Sequence, residues 1–248
     1  MNIIYILWLR QLKRYFRSKA RIIGSLAQPL LFLVALGFGF GPIFQKAGGG
    51  NYMEFLAPGI ISMSILFTAI FAGIEVIWDK QFGFLKETLV APVSRVQIMF
   101  GRTLGGATVA TLQGLIVFIL SVLIGFEPIS LVAVPLSILF MFMIALIFTA
   151  LGTAIASALD DMQGFQLIMN FLVMPLFFLS GALFPLSGLP PIIKTVASID
   201  PLSYGVDSLR GALTGVYHFG FFLDFAILGA LIVIFIWLGS YMFRRIQI

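Results

Sequence analysis

Residues 131–158 read LVAVPLSILFMFMIALIFTALGTAIASA, a run without one ionisable side chain. About 20 mostly apolar residues suffice for a helix to cross the hydrocarbon core of a bilayer, so this stretch is long and apolar enough to span one. Working outward in both directions, five more stretches share its character: roughly 22–44, 55–77, 103–125, 166–184 and 221–243. Only Glu75 and Asp224 are ionisable within them, each within four residues of a span end. The whole chain agrees, with 248 residues, 60% hydrophobic and 10% charged. A soluble domain carries about 25% charged residues, so this one lacks the polar groups to cover a water-facing surface. The fold class expected is all-α integral membrane. One transmembrane domain covers 1–248, with an interface helix at 1–20, spans 1–5 within 22–184, an external segment at 185–220 and the last span at 221–243. Pro29, Pro135 and Pro175 fall inside spans and predict kinks, tolerated where neighbouring helices satisfy the freed carbonyls.

Orientation follows from the cations. Six spans put both termini on one side. That side collects Arg10, Lys13, Arg14, Arg17, Lys19, Arg21, Lys80, Lys86, Arg95, Arg102, Arg244 and Arg245, whereas the other receives Lys46, Lys194 and Arg210. The asymmetry predicts a multi-pass protein of the cell (plasma or inner) membrane with both termini cytoplasmic. It also assigns the net charge of +5 to membrane topology, so no nucleic-acid partner is expected. The first residues mix charges into their apolar run and lack a small-residue cleavage site, so they are not expected to form a secretory signal.

Within 1–20, Tyr5, Trp8, Leu9, Leu12 and Phe16 recur at helical spacing, while Arg10, Lys13, Arg14 and Arg17 follow the same progression on nearly the opposite side. The pattern predicts an amphipathic helix lying in the interface, with its apolar face among the headgroups and its cations toward water, anionic lipid or an acidic partner.

No power source is legible. The span centres carry no ionisable residue, which disfavours an ion-coupled secondary transporter. No G-x-x-x-x-G-K-[ST] run is present. Cysteine is absent and His218, expected at the external interface, is the single histidine. An intramembrane lipid-modifying enzyme would have to draw on Glu75, Asp79, Asp160 and Asp161, with no His or Cys beside them. Both remain alternatives to a transporter subunit that borrows work from a separate ATPase. The chain itself is then not an enzyme.

Two connections are long. The cytoplasmic one, 78–102, holds Trp78, Asp79, Lys80, Phe82, Gly83, Leu85, Lys86, Glu87, Pro92 and Arg95. Phe82, Leu85 and Leu89 share a helical face that Pro92 closes. In the external one, Pro185, Pro190 and Pro191 prevent one continuous helix. Yet Leu183, Phe184, Leu186, Leu189, Ile192 and Ile193 are too apolar for a solvated loop, so a protein-covered position at membrane depth is expected. Asp200 is placed to cap a helix starting at Pro201, on which Asp207 and Arg210 stand at i, i+3 and can pair. Asp224 is expected to reach the external headgroups or a neighbour. Gly101-x-x-x-Gly105 is a small-xxx-small match that allows a close helix approach.

Lys80-x-x-Gly83, Glu87 and Ala91-Pro92-Val93-Ser94-Arg95 resemble the signature cytoplasmic loop of ABC-2 type permeases, the membrane subunits of drug-export and Nod-factor-export systems. Gln81 and Lys86 stand where acids are common, and Ala91 where Thr is usual. Pro175-x-x-x-Leu179-Ser180-Gly181-x-x-Phe184-Pro185-Leu186, Leu189-Pro190 and Asp200-Pro201-Leu202-Ser203-Tyr204-x-x-Asp207-x-x-Arg210 resemble the family's C-terminal pattern. The resemblance implies an export permease with two partner ATPase subunits, which carry the ATP and Mg, and a second copy of this chain or a paralogue. It implies a coupling helix drawing ATPase contacts from Asp79, Lys80, Phe82, Gly83, Leu85, Lys86, Glu87, Pro92 and Arg95. Re-entrant external helices would form a gate from Ser180, Gly181, Phe184, Pro185, Pro190, Asp200, Pro201, Tyr204, Asp207 and Arg210. No cofactor or metal is assigned to the chain itself. Scattered polar residues, Gln28, Thr68, Gln166 and Asn170 among them, are candidates for a substrate path or for helix–helix bonds. An amphiphilic or hydrophobic substrate (drug, lipid-linked or glycan-like) fits the absence of a charged ring better than an ion.

Overall fold

The computed structural model describes residues 3–48, 50–85, 93–188 and 190–244, less the side chain of Leu131. Among the described residues there is no strand. The helices are α1 (Ile3–Arg17), α2 (Lys19–Lys46), α3 (Tyr52–Phe71), α4 (Ile74–Gln81), α5 (Arg95–Ile124), α6 (Val134–Ala158), α7 (Met162–Leu179), α8 (Pro191–Ile199), α9 (Pro201–Thr214) and α10 (Phe221–Arg244). Six stretches are long and apolar enough to cross a membrane: α2, α3 with α4 as Tyr52–Gln81, α5, α6, α7 and α10.

Local chemistry sets the boundaries. Asn51 accepts from the Met53 N–H to start α3. Ser94 and Gln97 form a reciprocal capping box on α5, Asp161 accepts from the Gly164 N–H on α7, and Asp200 accepts from the Leu202 N–H at 2.8 Å on α9. Two details of the sequence reading change. Pro135 sits in the first turn of α6, where its missing N–H costs no helical bond, so it introduces no kink. The fifth span stops at Leu179 rather than 184, because Ser180 ends the helix and Gly181 turns at φ +73°.

The bundle is centred on Tyr52–Gln81, whose apolar window is 72% buried, against 11% for α10. α3 packs on α2, α5, α6 and α9, while α10 lies along α6. The short helix α9 is not surface decoration. Leu202 to Leu209 are all buried, against α3, α6 and α10. The preceding α8 is more open than expected for a covered segment: Ile192 and Ile199 are exposed, although Leu183 and Leu186 are buried. Leu189 lies outside the described residues.

The N-terminal helix departs most from expectation. It docks along one side on α5. Its inner face is Leu7, Trp8, Gln11 and Tyr15, rotated from the Tyr5–Phe16 stripe, and both Tyr5 and Phe16 are exposed. Gly101 and Gly105 make the approach possible, since a Cβ at either would press into Ile4 and Leu7 or into Gln11 and Trp8. Trp8 donates its indole N–H to Thr108 Oγ1 at 3.0 Å, and Tyr15 donates to Gln113 Oε1 at 2.6 Å.

Candidate functional site

The end of the second span is a hub of charge. Asp79, buried on α4, accepts from Arg102 of α5 and, at 3.2 Å, from Arg10 of α1. One turn earlier, buried Glu75 meets Arg14 of α1 at 3.5 Å and Arg21 of α2 at 3.3 Å. Four helices, α1, α2, α4 and α5, are thereby tied through two carboxylates. A buried carboxylate needs such partners, because desolvation is otherwise prohibitive. Next along the chain, Lys80 Nζ donates to the carbonyls of Ser157 and Leu159 at 2.8 and 2.9 Å and pairs with Asp160 at 3.2 Å. Gln81 donates to the Asp160 carbonyl at 3.1 Å. Lys80 therefore holds the end of α6, satisfying carbonyls that its C-terminus leaves open.

This placement corrects part of the expected surface. Asp79 and Lys80 are engaged inside the subunit, and Leu85 is buried. The outward groups are Trp78, Phe82 and Phe84, with Phe82 62% exposed. Trp78 and Phe82 touch, ring centroids 5.4 Å apart. Gly83, at φ +80°, turns the chain between the two phenylalanines. Lys86, Glu87 and Pro92 lie outside the described residues. Arg95 donates to the carbonyl of Arg244 at 2.7 Å, joining the connection to the end of the last span. Lys13 and Arg17 remain exposed on α1, beside Arg10 and Arg14.

The four acids that an enzyme would need are all occupied: Glu75, Asp79 and Asp160 by cations, Asp161 by the α7 N-terminus.

At the opposite end, Asp207 and Arg210 do not pair with each other. Asp207 accepts from the backbone N–H groups of His218 and Phe219 at 2.7 Å each. Arg210 donates to the carbonyls of Phe55 at 3.3 Å and Gly181 at 2.9 Å, its guanidinium 4.0 Å from the Phe55 ring centroid. The rotation that puts both residues on α9 sends one toward the α9–α10 turn and the other toward α3. Burial lowers the Arg210 pKa to about 10, partly offset by Asp207, so it stays charged at neutral pH. Tyr204 donates to the Ser198 carbonyl at 2.6 Å and Ser180 to the Phe177 carbonyl at 2.8 Å. Pro201 opens α9; Phe184, Pro185 and Pro190 are exposed. Burial raises the Asp200 pKa to about 7. Asp224 does not reach outward. It is fully buried, no donor among the described residues reaches its carboxylate oxygens, and the Asp207 carboxyl is its close neighbour.

Of the candidate path residues, Gln28 and Thr68 line one cavity of about 270 Å³ between α2 and α3. Gln166 and Asn170 stand on the exposed side of α7, away from it. Reading the sequence missed Arg102 as a bundle residue. It counted there as a loop cation, although it follows the apolar turn Ile98-Met99-Phe100, a signal that it enters the helix and needs a carboxylate.

A bundle with six apolar spans, a capped connection after the second and a buried short helix before the last defines a polytopic membrane protein. The sequence matches the ABC-2 type transporter family over residues 2–214, and the chain belongs to that family. It is 30% identical over 201 residues to a protein of Porphyra purpurea named transport permease ycf38, covering 79% of this chain and 68% of the relative. It is 29% identical over 215 residues to Nodulation protein J of Rhizobium leguminosarum bv. trifolii, covering 85% and 78%. A second Nodulation protein J, from Sinorhizobium fredii, is 30% identical over 198 residues, covering 78% and 74%. The chain is a transmembrane subunit of a transport permease.

Proposed function

We propose that this subunit forms the membrane pathway of an exporter whose work comes from two separate ATPase subunits binding ATP and Mg, and which pairs with a second copy of itself or a paralogue. The cargo is amphiphilic or hydrophobic, moved outward through a cell membrane with both termini cytoplasmic. The observation that carries the reading is the outward aromatic group Trp78, Phe82 and Phe84 on a base fixed by Asp79 and Lys80. A contact surface rooted in buried ion pairs moves as one piece with the second span. A push on the aromatics then reaches α1, α2, α5 and α6 together, through the charge hub and the Lys80 clasp. The short helices before α10 supply the external gate in this reading.

Co-expression with a candidate ATPase and purification through a tag on this chain tests it. The expected result is co-purification and lipid-dependent ATP hydrolysis in the wild type, with both lost in Phe82→Asp/Phe84→Asp while the chain's helicity is retained. Association and hydrolysis unchanged in that variant, or active transport by vesicles holding this chain alone, would overturn it.

A further inference from the structure

The charge hub borders a cavity that the ATPase contact does not use. It lies between α2 and α3, about 270 Å³ in volume, with the ring of Tyr15 at one end. At about 30 Å³ per water, that is room for roughly nine waters, too much for a packing defect and enough for a lipid headgroup with its linking region.

Its walls are two helix faces in register. On α2, Arg21, Gly24, Ser25 and Gln28 recur at i, i+3, i+4 and i+7. On α3, Ser64, Phe67, Thr68 and Phe71 do the same. The α2 face runs about 10 Å along the helix axis at 1.5 Å per residue. The cation sits at the α2 start, near the span boundary; Pro29 and Met63 mark the far, apolar end. Charge is thus graded along the cavity. Glu75 is shared by Arg14 and Arg21, which leaves one net positive charge at the mouth.

One observation argues that the space is filled. Ser64 is 2% exposed and its hydroxyl has no partner, although helical serines ordinarily bond back to the i−4 carbonyl, as Ser62 does to Pro58 at 2.9 Å. An unpaired buried hydroxyl is costly, and an acceptor inside the cavity removes the penalty. Gly24 meets nothing within 4 Å where a Cβ would stand, so a larger side chain there would enter the open space without touching the neighbouring helices.

From this grading we infer that the cavity binds an anionic, ester-linked lipid from the leaflet on the side of the termini. Its phosphate meets Arg21, its ester carbonyls accept from Ser64, Thr68 and the Gln28 amide, and its acyl chains leave through the open side between α2 and α3. The inference does not depend on an ATPase.

Native mass spectrometry of the full chain in mild detergent tests it, with dioleoylphosphatidylglycerol and dioleoylphosphatidylcholine as probes. One phosphatidylglycerol should be retained, and phosphatidylcholine about tenfold more weakly, because it offers the same phosphate but brings a choline cation to a mouth that already carries net positive charge. Gly24→Leu fills the cavity without a backbone clash and should abolish retention while helicity and melting temperature stay unchanged. Ser64→Ala, which removes only the hydroxyl, should weaken both lipids, and Arg21→Gln should erase the preference between them. Equal binding of the two lipids by the wild type, or wild-type retention by Gly24→Leu and Ser64→Ala alike, would overturn the assignment. Displacement of phosphatidylglycerol by millimolar glycerol 3-phosphate would also overturn it, by showing a site for a soluble anion.

Discussion

Asp79 illustrates why a buried charge has to be read together with its partners. Its carboxylate is shared by Arg102 and Arg10, from two different helices. Removing one partner of a buried pair leaves an uncompensated charge and costs about 3–5 kcal/mol, while replacing the pair with apolar groups is often neutral. Arg102→Ala leaves Asp79 with only the part-exposed Arg10, so it should lower the thermal midpoint in detergent, by less than the loss of a sole partner would. Asp79→Leu combined with Arg102→Leu should be milder than Arg102→Ala alone, and a double variant additive with the singles would refute the pairing. Asp200 permits a pH test. Its folded pKa is raised to about 7 from 3.8, chiefly by burial, and Oδ2 lacks a partner. The folded state thus holds the proton more tightly than the unfolded one. That stabilisation is complete below about pH 4 and is lost as pH rises through about 7. Asp200→Asn keeps the cap acceptor without the charge. The wild-type midpoint should fall between pH 5 and pH 8.5, whereas that of the variant should fall less and end at least about 2 °C higher. A parallel decline in both proteins would rule out Asp200 as the source.

At the scale of elements, α1 shows where sequence patterning stops being informative. The periodicity of Tyr5, Trp8, Leu9, Leu12 and Phe16 establishes an amphipathic helix, but an apolar face does not name what covers it. Here α5 covers the side of Leu7, Trp8 and Tyr15, because Gly101 and Gly105 let the backbones close in and because Trp8 and Tyr15 find polar partners there, while Tyr5 and Phe16 stay exposed. The glycine pair was visible in the sequence; its partner was not, since α1 and α5 are joined only by tertiary structure. Gly105→Leu should lift α1 from this seat, because a Cβ there already overlaps Gln11. A spin label at Lys13 should then gain mobility, while the same label in Gly39→Leu, at a glycine with open space around it, should report no change. Unaltered mobility in Gly105→Leu would mean that α1 is held by its ion pairs alone.

For the whole molecule, the six spans were legible because bilayer thickness imposes a length and a polarity that few other constraints mimic. The internal wiring was not, since Asp207 and Arg210 share a helix yet bind different neighbours, and no local spacing encodes that. The side of the membrane rests on physics similar to that of the spans. Turning the chain over would carry twelve cations across instead of three, so the positive-inside asymmetry predicts that the twelve-cation side is cytoplasmic. Arg102, though buried, lies one turn or two from that boundary and leaves the asymmetry intact. The absence of cysteine makes a single introduced thiol an unambiguous reporter. Lys13, exposed on α1 before the first span, and Gly188, which follows the fifth, must lie on opposite sides of a six-span bundle. With a membrane-impermeant maleimide on intact cells, Gly188→Cys should label and Lys13→Cys should label only after permeabilisation. The reverse pattern would invert the topology and, with it, move Phe82 and Phe84 out of reach of any cytosolic ATPase; labelling of both in intact cells would break the six-span count itself.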